Sequence, residues 1–245
     1  MTVIVLGKDK MAQRPVFKAI TEGNCLVQSE LIDFKFYNGY SIEQKHKSIT
    51  ELHHAIKQKH NNAKILEVST KSNQVLGVKL SAFNLMINDK KNNISYSVEC
   101  AYQASKRFEN GGPYRDILNK SSLAAKKDKR ILTSGAIVGF EFYGTTWGLI
   151  PFNAFYDWLY INALKKHEEL HQDLIQYNYF TDIEFNHKKS INCQAHAIAM
   201  FISLYKKNLL NTIRDPEVFL NLYKEYRIFD SSFSNNKIEL QEKLF

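Results

Sequence analysis

Short apolar runs separated by polar residues dominate residues 1–85, and this pattern is typical of strands. From Ile32 to Phe36, apolar and charged residues alternate, as in a strand that buries one of its two faces. The pattern predicts a strand-rich region with one helix between the strands. The predicted strands are Val3–Leu6, Val16–Ile20, Ile32–Tyr37, Ile65–Val68 and Val75–Leu80.

From residue 95 onward, the spacing of apolar residues lengthens toward 3.6, which is the period of a helix. An earlier helix is predicted from Ser41 to His60, because Ser41 followed by Gln44 forms a capping pattern. The other predicted helices cover about 97–109, 121–132, 151–178, 192–209 and 215–227, and Ile137–Phe142 is the one late strand expected.

The chain contains no internal repeat and no low-complexity linker that would divide it. The sequence therefore predicts one α+β domain over residues 1–245. Its small mixed sheet is expected to come largely from the N-terminal half. Residues 1–85 form the strand-rich part, and residues 95–230 form the mainly helical part.

Composition excludes several classes of protein. The 245 residues are 44% hydrophobic, which excludes a disordered chain, and the three cysteines form no CxxC pair. No apolar run approaches the ~20 residues that a membrane span needs, and the N-terminus lacks the apolar core of a signal peptide. We expect a soluble cytoplasmic protein without disulfides or a membrane partner.

The formal net charge of +8 lies mostly in residues 1–122, which hold 18 basic and 11 acidic residues. A basic half raises the local concentration of polyanions such as nucleic acids. The same charge also keeps many proteins in solution. Charge alone leaves both interpretations open.

The helix from Ser41 to His60 carries a lysine at an apolar position. Ile42, Ile49 and the residues after it mark the buried face, and Lys45 occupies the position between them. Removing an ammonium from water is costly, so the protein must pair it, let it reach water, or hold it uncharged. An uncharged amine is a nucleophile. The alternative is that Lys45 covers apolar surface with its stem while its head reaches solvent.

A second helix, beginning near Ser97, places three polar side chains on one line. Glu99, Gln103 and Lys106 are spaced by four and three residues. An acid, an amide and a base on one line suit a polar ligand, and the free N–H groups of a helix start suit a phosphate. The alternative is an ordinary solvated helix face.

Residues His167–His171 match the HExxH pattern of zinc hydrolases. The surrounding residues are charged and we expect them to be exposed, whereas a zinc-hydrolase helix lies beside a cleft. No third ligand stands about twenty residues beyond His171, where Ser190 and Asn192 are found. We therefore predict no metal site.

Three segments carry a resemblance to the NADAR (YbiA-like) family. They are Leu80–Leu85, reading LSAFNL, Ser97–Phe108, reading SVECAYQASKRF, and Ala125–Arg130, reading AKKDKR. A looser match covers Asp182 and the helix that carries Asn192. The sequence departs from the family pattern at Cys100, at Ser81–Asn84 and at Ile183–Phe185, where the family has His, LSNF and Trp-Gly.

Further segments resemble the subgroup of NADAR antitoxins paired with DarT-type DNA ADP-ribosyltransferase toxins. They are Arg14–Phe17, Tyr40–Lys47, Phe108–Tyr114 and Ser190–Ala195. The resemblance implies hydrolytic removal of ADP-ribose from guanine bases of DNA, with Lys45 as the catalytic lysine and no metal or other cofactor. The implied partners are ADP-ribosylated DNA, ADP-ribose and a DarT-type toxin.

Roles for individual residues follow as expectations. Lys45 is expected to form a Schiff base with the opened ribose, and Glu99 to act as acid and base. Two alternatives remain open: a module that binds ADP-ribose or another nucleotide without cleaving it, and an antitoxin that acts by protein contact alone. The expected ligand-binding residues are Phe83, Asn84, Gln103, Lys106 and Asp182.

Overall fold

The computed structural model describes residues 10–188, 190 and 192–226. Its strands are β1 (Lys10–Ala19), β2 (Val27–Phe36), β3 (Ile65–Glu67), β4 (Met86–Asp89), β5 (Ile94–Ser97), β6 (Lys106–Phe108), β7 (Ile137–Phe142), β8 (Thr145–Trp147) and β9 (Tyr179–Thr181). Its helices are α1 (Ile42–Lys59), α2 (Val75–Lys79), α3 (Val98–Ala104), α4 (Ser122–Lys126), α5 (Lys129–Thr133), α6 (Ala154–Lys165), α7 (His171–Leu174), α8 (Gln194–Lys206) and α9 (Pro216–Glu225). The expected strand Val3–Leu6 lies outside the described residues.

A four-stranded sheet with the order β2-β1-β9-β3 connects the two halves of the chain. β1 is antiparallel to both β2 and β9, whereas β3 runs parallel to β9. Two smaller antiparallel sheets contain β4-β5 and β6-β7-β8. This arrangement confirms the expected α+β fold with small mixed sheets.

Helices cover both faces of the four-stranded sheet. Val16 and Phe17 are consecutive in β1, so their side chains point to opposite faces. Val16 packs in one core with α1 residues such as Leu52, and Phe17 packs in the larger core with α8 residues such as Phe201. The sheet is thus buried on both sides and gives the site a fixed support.

The start of α1 follows the expected capping pattern. The Ser41 hydroxyl accepts a hydrogen bond from the backbone N–H of Gln44 at 3.3 Å. Ile49, Leu52 and Ile56 are buried on the sheet side of the helix. The sequence therefore identified the beginning of this helix and the buried face of its later turns. Ile42, which was expected on the same face, is 42% exposed, because it lies in the first turn.

Several expected elements are wrong in type or length. Val75–Leu80, expected as a strand, contains helix α2, because a short apolar run does not distinguish the two states. The helix expected at 97–109 ends at Ala104, and Lys106 begins β6. The regions 121–132 and 151–178 are likewise divided into shorter elements, and the sequence pattern missed β4, β5, β6, β8 and β9.

Within the described part of the chain, no helix has the length and apolar character needed to cross a membrane.

Gly77 provides a test of the packing of α2 against β3. A Cβ atom at this position would lie 2.0 Å from the carbonyl oxygen of Glu67 and 2.4 Å from Oγ of Ser72. We expect Gly77→Ala to lower the free energy of unfolding by about 3 kcal/mol, because backbone atoms must shift. Urea denaturation measures this loss.

The matched control is Gly148→Ala, where the added Cβ would meet only the backbone nitrogen of Ile150, at 4.0 Å. We expect a change within about 0.5 kcal/mol. Equal stability of the two variants would contradict the tight contact between α2 and β3.

Candidate functional site

A cavity of about 630 Å³ opens between α3 and the segment that follows β9. Cavities of roughly 300–1,000 Å³ are typical of small-molecule and cofactor sites. Its polar lining includes Glu99, Gln103, Lys106, Asp182, Glu184, Asn192 and Gln194, and its apolar lining includes Phe83, Tyr102, Leu123, Ile131, Leu149, Phe152 and Tyr156. Five of the seven expected site residues therefore share one cavity.

Helix α3 presents Glu99 and Gln103 to this cavity. The Ser97 hydroxyl caps the helix by accepting from the backbone N–H of Cys100 at 3.1 Å, which places Glu99 in the first turn. The side-chain amide of Gln103 donates to Oε1 of Glu99 at 2.9 Å. Oε1 of Gln103 is buried and has no hydrogen-bond partner in the described structure, so it can accept a hydrogen bond from a ligand.

Lys106 lies on the cavity wall just after α3, although it belongs to β6 rather than to the helix. Its Nζ lies 4.9 Å from the centroid of the Tyr102 ring. Burial lowers the pKa of Lys106 to about 8, with the carboxylate of Glu99 opposing the shift and Lys126 adding to it. An appreciable share of this amine is therefore uncharged near neutral pH.

Asp182 lies on the opposite wall, directly after β9. Its Oδ1 accepts from the backbone N–H groups of Glu184 at 3.0 Å and Phe185 at 3.2 Å. Its Oδ2 accepts from Nε2 of Gln194 at 2.9 Å. Burial, together with the nearby carboxyl group of Glu67, raises the pKa of Asp182 to about 8. The carboxyl group is thus protonated near neutral pH and can donate a hydrogen bond.

Glu67 is a buried carboxylate behind the cavity wall that sequence reasoning missed. It accepts hydrogen bonds from the Ser69 hydroxyl at 2.7 Å, the Thr181 hydroxyl at 2.7 Å and the backbone N–H of Ile183 at 2.8 Å. Burial raises its pKa overall, although these three donors oppose the shift. The one available signal was a single acidic residue inside the apolar run from Ile65 to Val68.

A hydrogen-bond chain continues from Glu67 to helix α1. Nε2 of His53 lies 3.0 Å from Oγ1 of Thr181, whose own proton points to Glu67. Nε2 of His53 must therefore carry a proton. Burial lowers the pKa of His53 to about 4, so the ring is neutral at pH 7.

Lys45 lies beside the cavity rather than on its described lining. Its Nζ forms an ion pair with Oε1 of Glu184 at 2.7 Å, and its side chain is 15% exposed. Its Nζ also lies 6.0 Å from the ring centroid of Phe36. Because Glu184 lines the cavity, this ion pair connects Lys45 to it. The sequence left three possibilities for the ammonium group of Lys45, and in the structure this group is paired with a carboxylate.

The structure separates Phe83 from Asn84. Phe83 lines the cavity, and Nζ of Lys126 lies 5.4 Å from its ring centroid. The amide of Asn84 instead donates to the carbonyl oxygen of Val78 at 2.8 Å, and the residue faces a different depression beside Leu170.

The residues of the HExxH pattern lie apart from this cavity. Nε2 of His167 bonds the carbonyl oxygen of Met86 at 2.8 Å, and Nε2 of His171 bonds that of Leu164 at 3.0 Å. Contrary to expectation, His171 is buried, and no helix carries both histidines in the zinc-hydrolase manner. The described residues contain no group of three side chains suited to a metal.

Replacement of Asp182 tests the raised pKa of its carboxyl group. A carboxyl with a raised pKa binds a proton in the folded state that the unfolded chain has lost, so the wild type loses stability between about pH 5 and pH 8. Over this range, we expect the free energy of unfolding of the wild type to fall with rising pH by about 1 kcal/mol per pH unit more than that of Asp182→Asn. Denaturant titrations across this range measure it.

Exposed Asp173 provides the control, because Asp173→Asn removes a carboxyl group without removing a buried proton. The difference in stability between this variant and the wild type should not change with pH. A parallel pH dependence of wild type and Asp182→Asn would contradict a protonated Asp182.

A family model described as the DarT1-associated NADAR antitoxin matches residues 12–232. No curated protein matches the chain. The matched range contains every wall of the cavity, and the chain belongs to the family of DarT1-associated NADAR antitoxins.

Proposed function

We propose that this protein is a hydrolase that removes ADP-ribose from ADP-ribosylated guanine bases in DNA. The observation that carries the proposal is the polar line of Glu99, Gln103 and Lys106 inside a nucleotide-sized cavity. It combines a carboxyl group, an unpaired hydrogen-bond acceptor and an amine with a pKa of about 8. Membership of an antitoxin family associated with DarT1 supports the choice of substrate.

The reaction breaks the bond between the anomeric carbon of the ribose and a guanine nitrogen. Protonation of the ring oxygen opens the ribose ring and makes the anomeric carbon electrophilic. An uncharged lysine amine adds to that carbon, the bond from the carbon to the guanine nitrogen breaks, and guanine leaves with a proton. Water then adds to the resulting imine and releases the lysine and ADP-ribose. Glu99 supplies the proton to the leaving group and later accepts one from water.

We assign the amine to Lys45, as the resemblance to the NADAR antitoxins implies. Its ion pair with Glu184 holds the Nζ atom next to the cavity wall, and transfer of the proton to Glu184 leaves an uncharged amine. Lys106 is the competing candidate, because with a pKa of about 8 roughly one in ten of its amines is uncharged at pH 7. In our assignment Lys106 contacts a phosphate group.

Borohydride trapping tests both the chemistry and the assignment. Reduction during turnover converts the imine into a stable amine, so ADP-ribose should become attached covalently to Lys45. Peptide mass spectrometry identifies the modified residue. Lys45→Arg should abolish trapping and reduce cleavage at least about 1,000-fold, because guanidinium stays charged.

Lys106→Arg is the matched control, and it should retain trapping at Lys45. An adduct on Lys106 would reassign the two roles. Full cleavage by Lys45→Arg would remove covalent catalysis by this residue, and binding of ADP-ribose without any cleavage by the wild type would favour the binding-module alternative.

Gln103→Ala tests ligand recognition by the polar line. Loss of the unpaired Oε1 acceptor should weaken ADP-ribose binding about fivefold, since a hydrogen bond contributes about 1 kcal/mol. The melting temperature should change little. Isothermal titration calorimetry measures the affinity, with Gln28→Ala, at an exposed position on β2, as the control. A large loss of stability at unchanged affinity would indicate a purely structural role.

A further inference from the structure

Three lysines form an exposed cationic edge beside the cavity. Lys126 and Lys127 line the cavity at the end of α4, and Lys129 follows at the start of α5. All three side chains are exposed, and none forms an ion pair in the described part of the chain. Nζ of Lys126 lies over the ring of Phe83, which carries no charge.

The two acidic residues of the segment 115–130 are already paired with other cations. Asp128 accepts hydrogen bonds from Lys120 at 2.5 Å and from Arg130 at 2.8 Å. Arg130 also pairs with Asp116 at 2.7 Å. The local carboxylates therefore compensate Lys120 and Arg130 and leave the charges of the cationic edge available to a polyanion.

Exposed aliphatic side chains flank the same edge. Leu123 is 54% exposed, Leu132 is 72% exposed and Ile150 is 84% exposed. Leu123 lines the cavity, and Leu132 and Ile150 each adjoin a residue that does. A ligand that fits entirely inside the cavity gives Leu132 and Ile150 no partner. In several DNA-binding proteins, apolar side chains such as Leu and Ile insert between bases and partly unstack them, while lysines contact the phosphates.

We propose that this edge is a track for the DNA strand that carries the modified guanine. The inference rests on the proposed function, because a modified base that enters the cavity leaves its neighbours outside. Lys126, Lys127 and Lys129 contact the phosphates, and Leu123, Leu132 and Ile150 contact the unstacked bases. The chemistry fits single-stranded or locally opened DNA, whose bases are accessible.

The test compares Lys127→Ala/Lys129→Ala with Lys90→Ala/Lys91→Ala, which removes two exposed lysines from the turn between β4 and β5. The substrates are a single-stranded oligonucleotide with one ADP-ribosylated guanine and the same adduct on deoxyguanosine. For the first variant, kcat/KM should fall about tenfold more on the oligonucleotide than on the nucleoside. For the control variant, kcat/KM should change by the same factor on both substrates.

Binding of an unmodified single-stranded oligonucleotide gives a second measurement that does not need turnover. Loss of two phosphate contacts should reduce the slope of log affinity against log salt concentration by about 1.4. Ile150→Ala should weaken this binding without changing the salt slope, and exposed Val75→Ala is its control.

Equal losses on oligonucleotide and nucleoside would overturn the track, because the lysines would then serve the cavity ligand itself. An unchanged salt slope would also overturn it. Loss of toxin binding with unchanged DNA binding would assign the edge to a protein partner instead. If the wild type cleaves neither substrate, the proposed function fails, while the salt slope still decides the track.

Discussion

A carboxylate with almost no access to water must be surrounded by hydrogen-bond donors, and Glu67 finds its donors on the segment that carries the site. Two of the three come from Thr181 and Ile183, on either side of Asp182. The orientation of Asp182 and the course of the chain toward Glu184 therefore depend on Glu67. The proximity of Glu67 also raises the pKa of Asp182, so one buried group influences both the geometry and the proton occupancy of this wall.

Gln194 performs a comparable structural role at the start of α8. Its amide nitrogen donates to the Val68 carbonyl at 2.6 Å and to Asp182 at 2.9 Å, and its oxygen accepts from the backbone N–H of Ala82 at 2.7 Å. One side chain thus connects three segments that are distant in sequence. Opposite it, α3 presents Glu99 and Gln103, and the backbone N–H of Glu99 donates to the carbonyl oxygen of Ala82 at 2.9 Å. Ala82 therefore connects the two walls of the cavity through hydrogen bonds to Gln194 and to α3.

Sequence reasoning identified the features that depend on local spacing. The cap of α1 and the pairing of Glu99 with Gln103 follow from intervals of three and four residues, which one helix satisfies alone. The helix at Val75–Lys79 was not predicted. Gly77 is required there by its close contact with β3, and no local sequence pattern encodes a contact of this kind. Strand β9 has three residues, which is too short to show an alternation of apolar and polar positions. The role of Glu67 depends on hydrogen-bond partners that are distant in sequence, such as Ile183.

The position of β9 has a consequence for synthesis of the chain. This strand lies between β1 and β3, yet it follows both by more than a hundred residues. Until Tyr179–Thr181 leave the ribosome, β1 and β3 each lack the strand that lies between them in the folded sheet. Asp182, which directly follows that strand, is then not in place on the cavity wall. The nascent chain therefore remains without a complete cavity through most of its translation, because the cavity needs a strand that is synthesised late.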